Sequence, residues 1–140
     1  MEWMLKPYGR YADFSGRSRR MEYWMFRLFE FLVFFGGFIV IAVLGGLTRG
    51  AGGEQAGGIV GGIGMLALSL FILGSIIPSI AVTIRRLHDT NRSGWMLLLA
   101  FIPLIGGIVL LVFMFSEGTR GPNNYGPDPK DPHAGAEVFS

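Results

Sequence analysis

The chain has 140 residues, of which 51% are hydrophobic and 16% are charged, and its mean hydropathy is +0.47. This composition is too apolar for an ordinary soluble domain of this length, and it predicts one small all-α membrane protein. Cysteine is absent, which excludes disulfides, thiol catalysis and thiolate metal sites, and the formal net charge is +2.

Residues 1–18 combine basic side chains with the aromatic residues Trp3, Tyr8, Tyr11 and Phe14. Amphipathic rings favour the headgroup level of a bilayer, so this segment is predicted to lie at the interface. A poorly ordered basic tail is the alternative. The apolar run that follows is too long for the core of a signal peptide, so it is interpreted as a retained anchor.

Residues 19–116 are predicted to form the membrane domain. About 20 apolar residues span the ~30 Å hydrocarbon layer as a helix. Three apolar stretches therefore predict transmembrane helices at about residues 19–47, 59–86 and 95–115. The glycine-rich connection at residues 48–58 is predicted to be a flexible loop.

Residues 117–140 are rich in glycine and proline and are predicted to form a flexible, irregular tail. Aromatic side chains at the ends of the predicted helices and in the tail suit the membrane interface. These predicted anchors are Tyr23, Trp24, Trp95 and Tyr125.

Polar and small residues within the helices favour packing. Arg27 and Glu30 lie three positions apart, which predicts an ion pair near the membrane surface. Small-xxx-small pairs let helix backbones approach closely, and a hydroxyl stripe either supports packing or lines a pore in an oligomer. The residues concerned are Gly57, Gly58, Gly61, Gly62, Ser75, Ser79 and Thr83.

The distribution of basic residues predicts the orientation. Five of them precede the first apolar run and three lie between the second and third, against one in the first connection and two in the tail. Positive residues are retained on the cytoplasmic side, so the N-terminus and the loop at residues 85–94 are predicted to be cytoplasmic. The tail is expected on the opposite side, unless one segment forms a hairpin within the membrane.

Three motifs resemble a known family. They are FSGRSRRMEYWMF at residues 14–26, RRLHDTNRSGW at residues 85–95 and PNNYGPDP at residues 122–129. In this order they are similar to the DUF805 family of small bacterial inner-membrane proteins. Asn91 stands where glycine is frequent in that family, although asparagine also tolerates left-handed backbone angles. The resemblance implies a multi-pass protein of the inner membrane and supplies no established activity.

Arginines outnumber carboxylates on the predicted cytoplasmic side. Because a guanidinium binds phosphate bidentately, the surplus predicts contact with anionic lipid or with an acidic partner. A purely structural ion-pair cluster is the alternative. The predicted contact residues are Arg17, Arg19, Arg20, Arg85, Arg86 and Arg92. The predicted structural cluster is Glu22, Arg27, Glu30, His88 and Asp89.

These patterns predict a scaffold or accessory subunit rather than an enzyme. No cofactor, metal or nucleic-acid partner is expected, whereas membrane lipids, a membrane-protein partner or further copies of the chain are candidate partners. An oligomeric transporter or channel for ions or small solutes is the first alternative. A lipid-modifying enzyme using His88 and Asp89 is the second, but adjacent side chains on a short loop rarely meet catalytic geometry.

Overall fold

A computed structural model describes residues 2–131, in which the regular secondary structure is helical and no strand occurs. Helix α1 (Glu2–Gly9) and helix α2 (Arg20–Asp89) are followed by a 3-10 helix (Gly94–Phe101) and helix α3 (Ile105–Phe115). The predicted all-α class is confirmed for this part of the chain. Of the described helices, α2 alone is long and apolar enough to cross a membrane by length and composition, and α3 is a shorter apolar helix.

The chain divides into two compact units. The terminal unit contains residues 1–26 and 77–140, and the hairpin unit contains residues 27–76. Both ends of α2 therefore belong to the terminal unit, whereas its middle forms the hairpin unit.

The hairpin unit reverses the chain at Gly53. This residue has φ 84° and ψ 175°, a conformation open essentially to glycine, and helical structure continues on both sides of it. The prediction of a flexible loop over residues 48–58 is therefore wrong. On both sides of Gly53, the helical backbone makes its hydrogen bonds within each arm, as an apolar segment requires. A single non-helical residue is therefore sufficient to reverse the chain.

Small residues allow the two arms of the hairpin to approach. A Cβ on Gly57 would lie 2.7 Å from the Gly45 carbonyl oxygen, and one on Gly64 would lie 2.6 Å from the Ile41 side chain. By contrast, Cβ atoms on Gly58, Gly61 and Gly62 would meet nothing within 4 Å in the described chain. Of the predicted packing glycines, Gly57 is thus the one that closes the hairpin.

Residues 95–115 do not form the single helix that was predicted. The 3-10 helix ends at Phe101, and Ile102, which precedes Pro103, is extended with φ −84° and ψ 113°. Leu104 then has φ 64°. α3 follows with 11 residues, or about 17 Å of helix, which is too short to cross the hydrocarbon layer.

The segment at residues 94–115 starts and finishes beside the carboxyl end of α2. At its start, a Cβ on Gly94 would meet Ile84 at 2.9 Å. After its end, the Thr119 N–H donates to the Asp89 carbonyl oxygen at 2.8 Å. The tail therefore begins beside the carboxyl end of α2, where the segment also began, and this geometry favours the hairpin arrangement over a tail on the opposite side.

The core of the terminal unit joins both ends of α2 with α3. It contains Tyr23, Phe26, Val82, Leu87 and Met114, each less than a tenth exposed. The ring of Tyr8 in α1 packs edge-on against Phe26 at 5.3 Å. These contacts hold α1 and α3 beside the polar residues near the ends of α2.

Candidate functional site

Arg85 lies at the centre of a buried network. Its Nε donates to Ser18 Oγ at 3.0 Å, and its Nη1 donates to the carbonyl oxygens of Arg10 at 3.2 Å and Asp13 at 2.5 Å. Nη2 pairs with Glu22 Oε1 at 3.3 Å. One side chain of α2 therefore holds the loop that connects α1 to α2.

Ser18 and Glu22 complete this first half of the network. Ser18 Oγ donates to Glu22 Oε1 at 3.0 Å, and the Ser18 N–H donates to the Arg85 carbonyl oxygen at 3.1 Å. Lys6 Nζ lies 3.8 Å from Glu22 Oε2. Glu22 is buried in the first turn of α2, where the helix dipole also favours a carboxylate.

Asp89 lies at the centre of the second half. Its Oδ1 accepts a hydrogen bond from Arg17 Nε at 3.0 Å, and its Oδ2 accepts one from Arg86 Nη1. All three side chains are buried. A carboxylate between two guanidinium groups leaves a local surplus of positive charge, which the surrounding backbone carbonyl oxygens offset.

Those carbonyl oxygens come from the tail and from the end of α3. Arg17 donates through Nη1 to Gly121 at 2.7 Å and through Nη2 to Thr119. Arg86 donates through Nε to Met114 in α3 at 3.3 Å and through Nη2 to Ser116. The two arginines thereby fix the start of the tail against α2.

Arg17, Arg85 and Arg86 were predicted to contact lipid, but the structure turns all three inward. Their side chains are 1%, 0% and 0% exposed, and no buried side-chain polar atom of the described residues lacks a hydrogen-bond partner. A headgroup cannot reach these guanidinium groups in this conformation. Their burial and ion pairs favour the structural-cluster alternative over direct lipid contact for these three residues.

Arg19, Arg20 and Arg92 keep more of their charged groups at the surface. Arg19 Nε donates to the Pro129 carbonyl oxygen at 2.5 Å, and Arg20 Nη1 donates to that of Phe115 at 3.3 Å. Arg92 lies over the Phe113 ring, 4.0 Å from its centroid. Arg20 is exposed and the other two are half-buried.

His88 joins the tail to the loop that precedes α2. Its Nδ1 lies 3.1 Å from the Gly16 carbonyl oxygen, and its ring stacks on Tyr125 at 4.0 Å and 4°. Asn123 Nδ2 donates to the His88 carbonyl oxygen at 2.9 Å. The His88 ring is thus packed between the Gly16 carbonyl oxygen and the Tyr125 ring.

The predicted ion pair and the predicted hydroxyl stripe both lie within α2. Arg27 Nη1 pairs with Glu30 Oε2 at 2.7 Å within the hairpin unit. Thr83 Oγ1 donates to the Ser79 carbonyl oxygen at 2.6 Å, and both Thr83 and Ser75 are buried. A hydroxyl that bonds to the preceding turn is typical of helix packing.

The predicted interface anchors also differ from one another. Trp95 is 79% exposed, as an anchor requires, whereas Tyr23 belongs to the core. Trp24 packs against Phe115 with ring centroids 4.4 Å apart. Tyr125 instead covers His88.

The hydrogen-bond acceptors supplied by the backbone could not be predicted from residue types. Gly121 and Thr119 receive hydrogen bonds through carbonyl oxygens, which any residue type would offer. A signal for an ordered tail was present in PNNYGPDP, where Asn123 and Gly126 exchange backbone hydrogen bonds at 3.0 and 3.2 Å. Asn91 has φ 56°, the left-handed angle that asparagine tolerates.

Two carboxylates outside α2 have lowered pKa values. The Ser15 hydroxyl and the Arg10 guanidinium lower the pKa of Asp13. For Asp128, the backbone N–H of Lys130 lowers the pKa, and the N–H of Gly121 lowers it further. In both cases the ionised form accepts the hydrogen bonds that shape a turn.

Comparison with known sequences gives a consistent result. A family described as "Protein of unknown function (DUF805)" matches residues 11–127. Inner membrane protein YhaI of Escherichia coli (strain K12) is 44% identical over 131 residues, covering 93% of this chain and 97% of that protein. Inner membrane protein YhaH of the same strain is 45% identical over 130 residues, covering 93% and 98%. No solved structure gives a significant match.

Proposed function

The chain belongs to the DUF805 family, and from this membership and the buried arginine network we propose that it is an inner-membrane scaffold or accessory subunit whose exposed arginines contact anionic lipid headgroups. The names of YhaI and YhaH support the inner-membrane location. The apolar length of α2 supports a membrane-spanning role for this helix.

The observation that carries the proposal is the division of the arginines into two groups. Arg17, Arg85 and Arg86 are occupied within the protein, where they hold a loop and the tail to α2. Arg19 and Arg20 lie at the start of α2 and keep unused donors. The first group holds the loop and the tail in place. The second group leaves positive charge at the surface of the terminal unit.

An anionic headgroup is the ligand that suits this charge. Arginine binds phosphate bidentately, and basic residues beside a membrane helix are attracted to anionic lipids by about 1 kcal/mol each. An acidic segment of a membrane-protein partner offers similar chemistry, so the test below separates the two.

The proposal is tested by extracting the protein with its surrounding lipids and comparing their composition with that of the whole membrane. We expect wild type to be enriched in phosphatidylglycerol and Arg19→Glu/Arg20→Glu to lose that enrichment. Arg49→Glu, which reverses an exposed charge in the hairpin unit, is the control and should keep it. Unchanged enrichment in the double variant contradicts the proposal. Loss of a co-purifying protein with lipid retained assigns the arginines to a partner.

A further inference from the structure

A cavity of about 610 Å³ lies beside the first turn of α2 in the terminal unit. Met21, Trp24 and Met25 supply apolar lining, while Arg19, Arg20 and Lys130 supply positive charge. Cavities of ~300–1,000 Å³ accommodate small ligands, usually on an apolar lining with a few polar groups that orient them. We propose that this cavity binds one anionic phospholipid, with its phosphate at Arg19 and Arg20 and part of an acyl chain on the apolar lining.

The apolar part is built by aromatic and thioether side chains. Trp24 packs against Phe115 at 4.4 Å, which makes an aromatic wall. Met21 is 58% exposed beside it. Flexible thioethers adapt to varied apolar shapes, so this lining suits a hydrocarbon chain better than a rigid polar solute.

The charged part has donors to spare. In the described structure the hydrogen bonds of Arg19 and Arg20 use Arg19 Nε and Arg20 Nη1. Both η nitrogens of Arg19 and Nη2 of Arg20 therefore remain for a phosphate oxygen. The Arg19 guanidinium also lies 5.7 Å from the centroid of the Trp3 ring, which places that donor group beside an aromatic surface.

Nearby carboxylates do not cancel this charge. Glu22 is buried, with Arg85 at 3.3 Å and Lys6 at 3.8 Å. Glu117 lies 3.9 Å from Lys130, but both side chains are about half exposed, so their mutual attraction is weak. None of the ion pairs of the described residues involves Arg19 or Arg20.

This inference rests on the proposed function and deepens it, because a surface attracted to anionic lipid need not hold any one lipid. A bound lipid requires both the charge and the cavity. Filling the cavity without changing its charge therefore separates site binding from general attraction.

Native mass spectrometry of the detergent-solubilised protein, with added phosphatidylglycerol or phosphatidylcholine, is the test. We expect wild type to retain one phosphatidylglycerol in preference to phosphatidylcholine. Met25→Trp places a larger, rigid ring in the apolar part of the cavity and should weaken that binding by about tenfold or more, as should Arg20→Gln through loss of a charged hydrogen bond. Met65→Trp, an equal change at an exposed position of the hairpin unit, is the matched control and should bind as wild type does.

A second cavity variant, Met21→Trp, guards against misfolding at Met25, and both should keep the thermal midpoint of wild type. Equal binding by wild type and the folded cavity variants overturns the proposed site, even if anionic lipid remains enriched around the protein. Absence of that enrichment in wild type overturns the proposed function instead. Glycerol phosphate displacing the lipid at matched concentration shows a simple anion site and overturns the role of the acyl chain.

Discussion

Asp89 accepts hydrogen bonds from two buried guanidinium groups, Arg17 and Arg86, while its own backbone carbonyl oxygen accepts one from Thr119. Buried ion pairs contribute little net stability when intact, because desolvation offsets their attraction, but removal of one partner leaves an uncompensated charge. Replacing Asp89 should therefore cost more stability than the small net contribution of its intact ion pairs.

Asp89→Asn is expected to destabilise the protein by about 3–5 kcal/mol, because two buried arginines lose their carboxylate. The free energy of unfolding in detergent and the rate of tail proteolysis are the measurements, and both should change. Glu54→Gln neutralises an exposed carboxylate in the hairpin unit and is the matched control. A variant as stable as the control contradicts the assignment of Asp89 to the centre of the network.

Acid should loosen the turns at Asp13 and Asp128. Their pKa values in the folded protein lie below the ordinary aspartate value of 3.8, so ionisation stabilises the fold above that pH. This stability is lost as the pH falls from about 4 through the folded-state pKa values. Thermal midpoints measured between pH 7 and pH 2 should fall less for Asp128→Asn than for wild type. An equal fall in the thermal midpoints of wild type and Asp128→Asn would contradict this link between the ionisation of Asp128 and stability.

At the residue scale, the sequence indicated that arginines and carboxylates would pair, but it did not indicate which arginines would be buried. The excess of arginine over carboxylate indicated either a structural cluster or a ligand surface. Arg17 and Arg19 have the same chemistry two positions apart, yet Arg17 is buried and Arg19 is half-buried. The difference depends on tail carbonyl oxygens that are distant in sequence.

The reversal within α2 depends on one glycine among many. Glycines at residues 50–58 indicated a turn, but nothing in their spacing selects Gly53, whose φ of 84° distinguishes it from its helical neighbours. The predicted loop failed because glycine permits a turn without preventing helix formation on either side.

Gly53→Ala is expected to destabilise the hairpin by about 1–3 kcal/mol, because alanine is strained at positive φ with extended ψ. Gly58→Ala is the control, since its added Cβ meets nothing within 4 Å and alanine is the better helix former. Thermal unfolding in detergent should show a lower midpoint for the first variant and an equal or higher one for the second. Equal midpoints would mean that Gly53 does not need its positive φ.

The uncharged stretch at residues 95–115 illustrates a different limit of sequence reasoning. Its length and hydropathy suit a transmembrane helix, and a proline such as Pro103 can bend a helix without ending it. The structure also has Leu104 at φ 64°, and Gly106 allows the carbonyl oxygen of Leu99 to approach closely. A leucine in the left-handed region is too rare to predict from sequence.

At the scale of the whole molecule, the polar segments gather in the terminal unit. The Arg85–Glu22 pair joins the two ends of α2, and Arg86 joins the end of α2 to Ser116. Residues 20–89 therefore leave and return to the same place, as residues 94–115 do. We therefore expect each segment to cross the bilayer an even number of times or not at all.

We therefore expect the N-terminal loop and the start of the tail to lie on the same side of the membrane, and the absence of native cysteine makes this prediction directly testable. Ala12→Cys and Arg120→Cys introduce single thiols at exposed positions in the two segments. Both should resist a membrane-impermeant maleimide in spheroplasts, because basic residues favour the cytoplasmic side, and both should react after lysis. Reaction of Arg120→Cys alone in spheroplasts would instead require residues 94–115 to cross the membrane, and the Arg17–Thr119 and Arg86–Ser116 contacts could not then form. The labelling pattern thus tests the arginine network and the topology together, since each requires the tail to return.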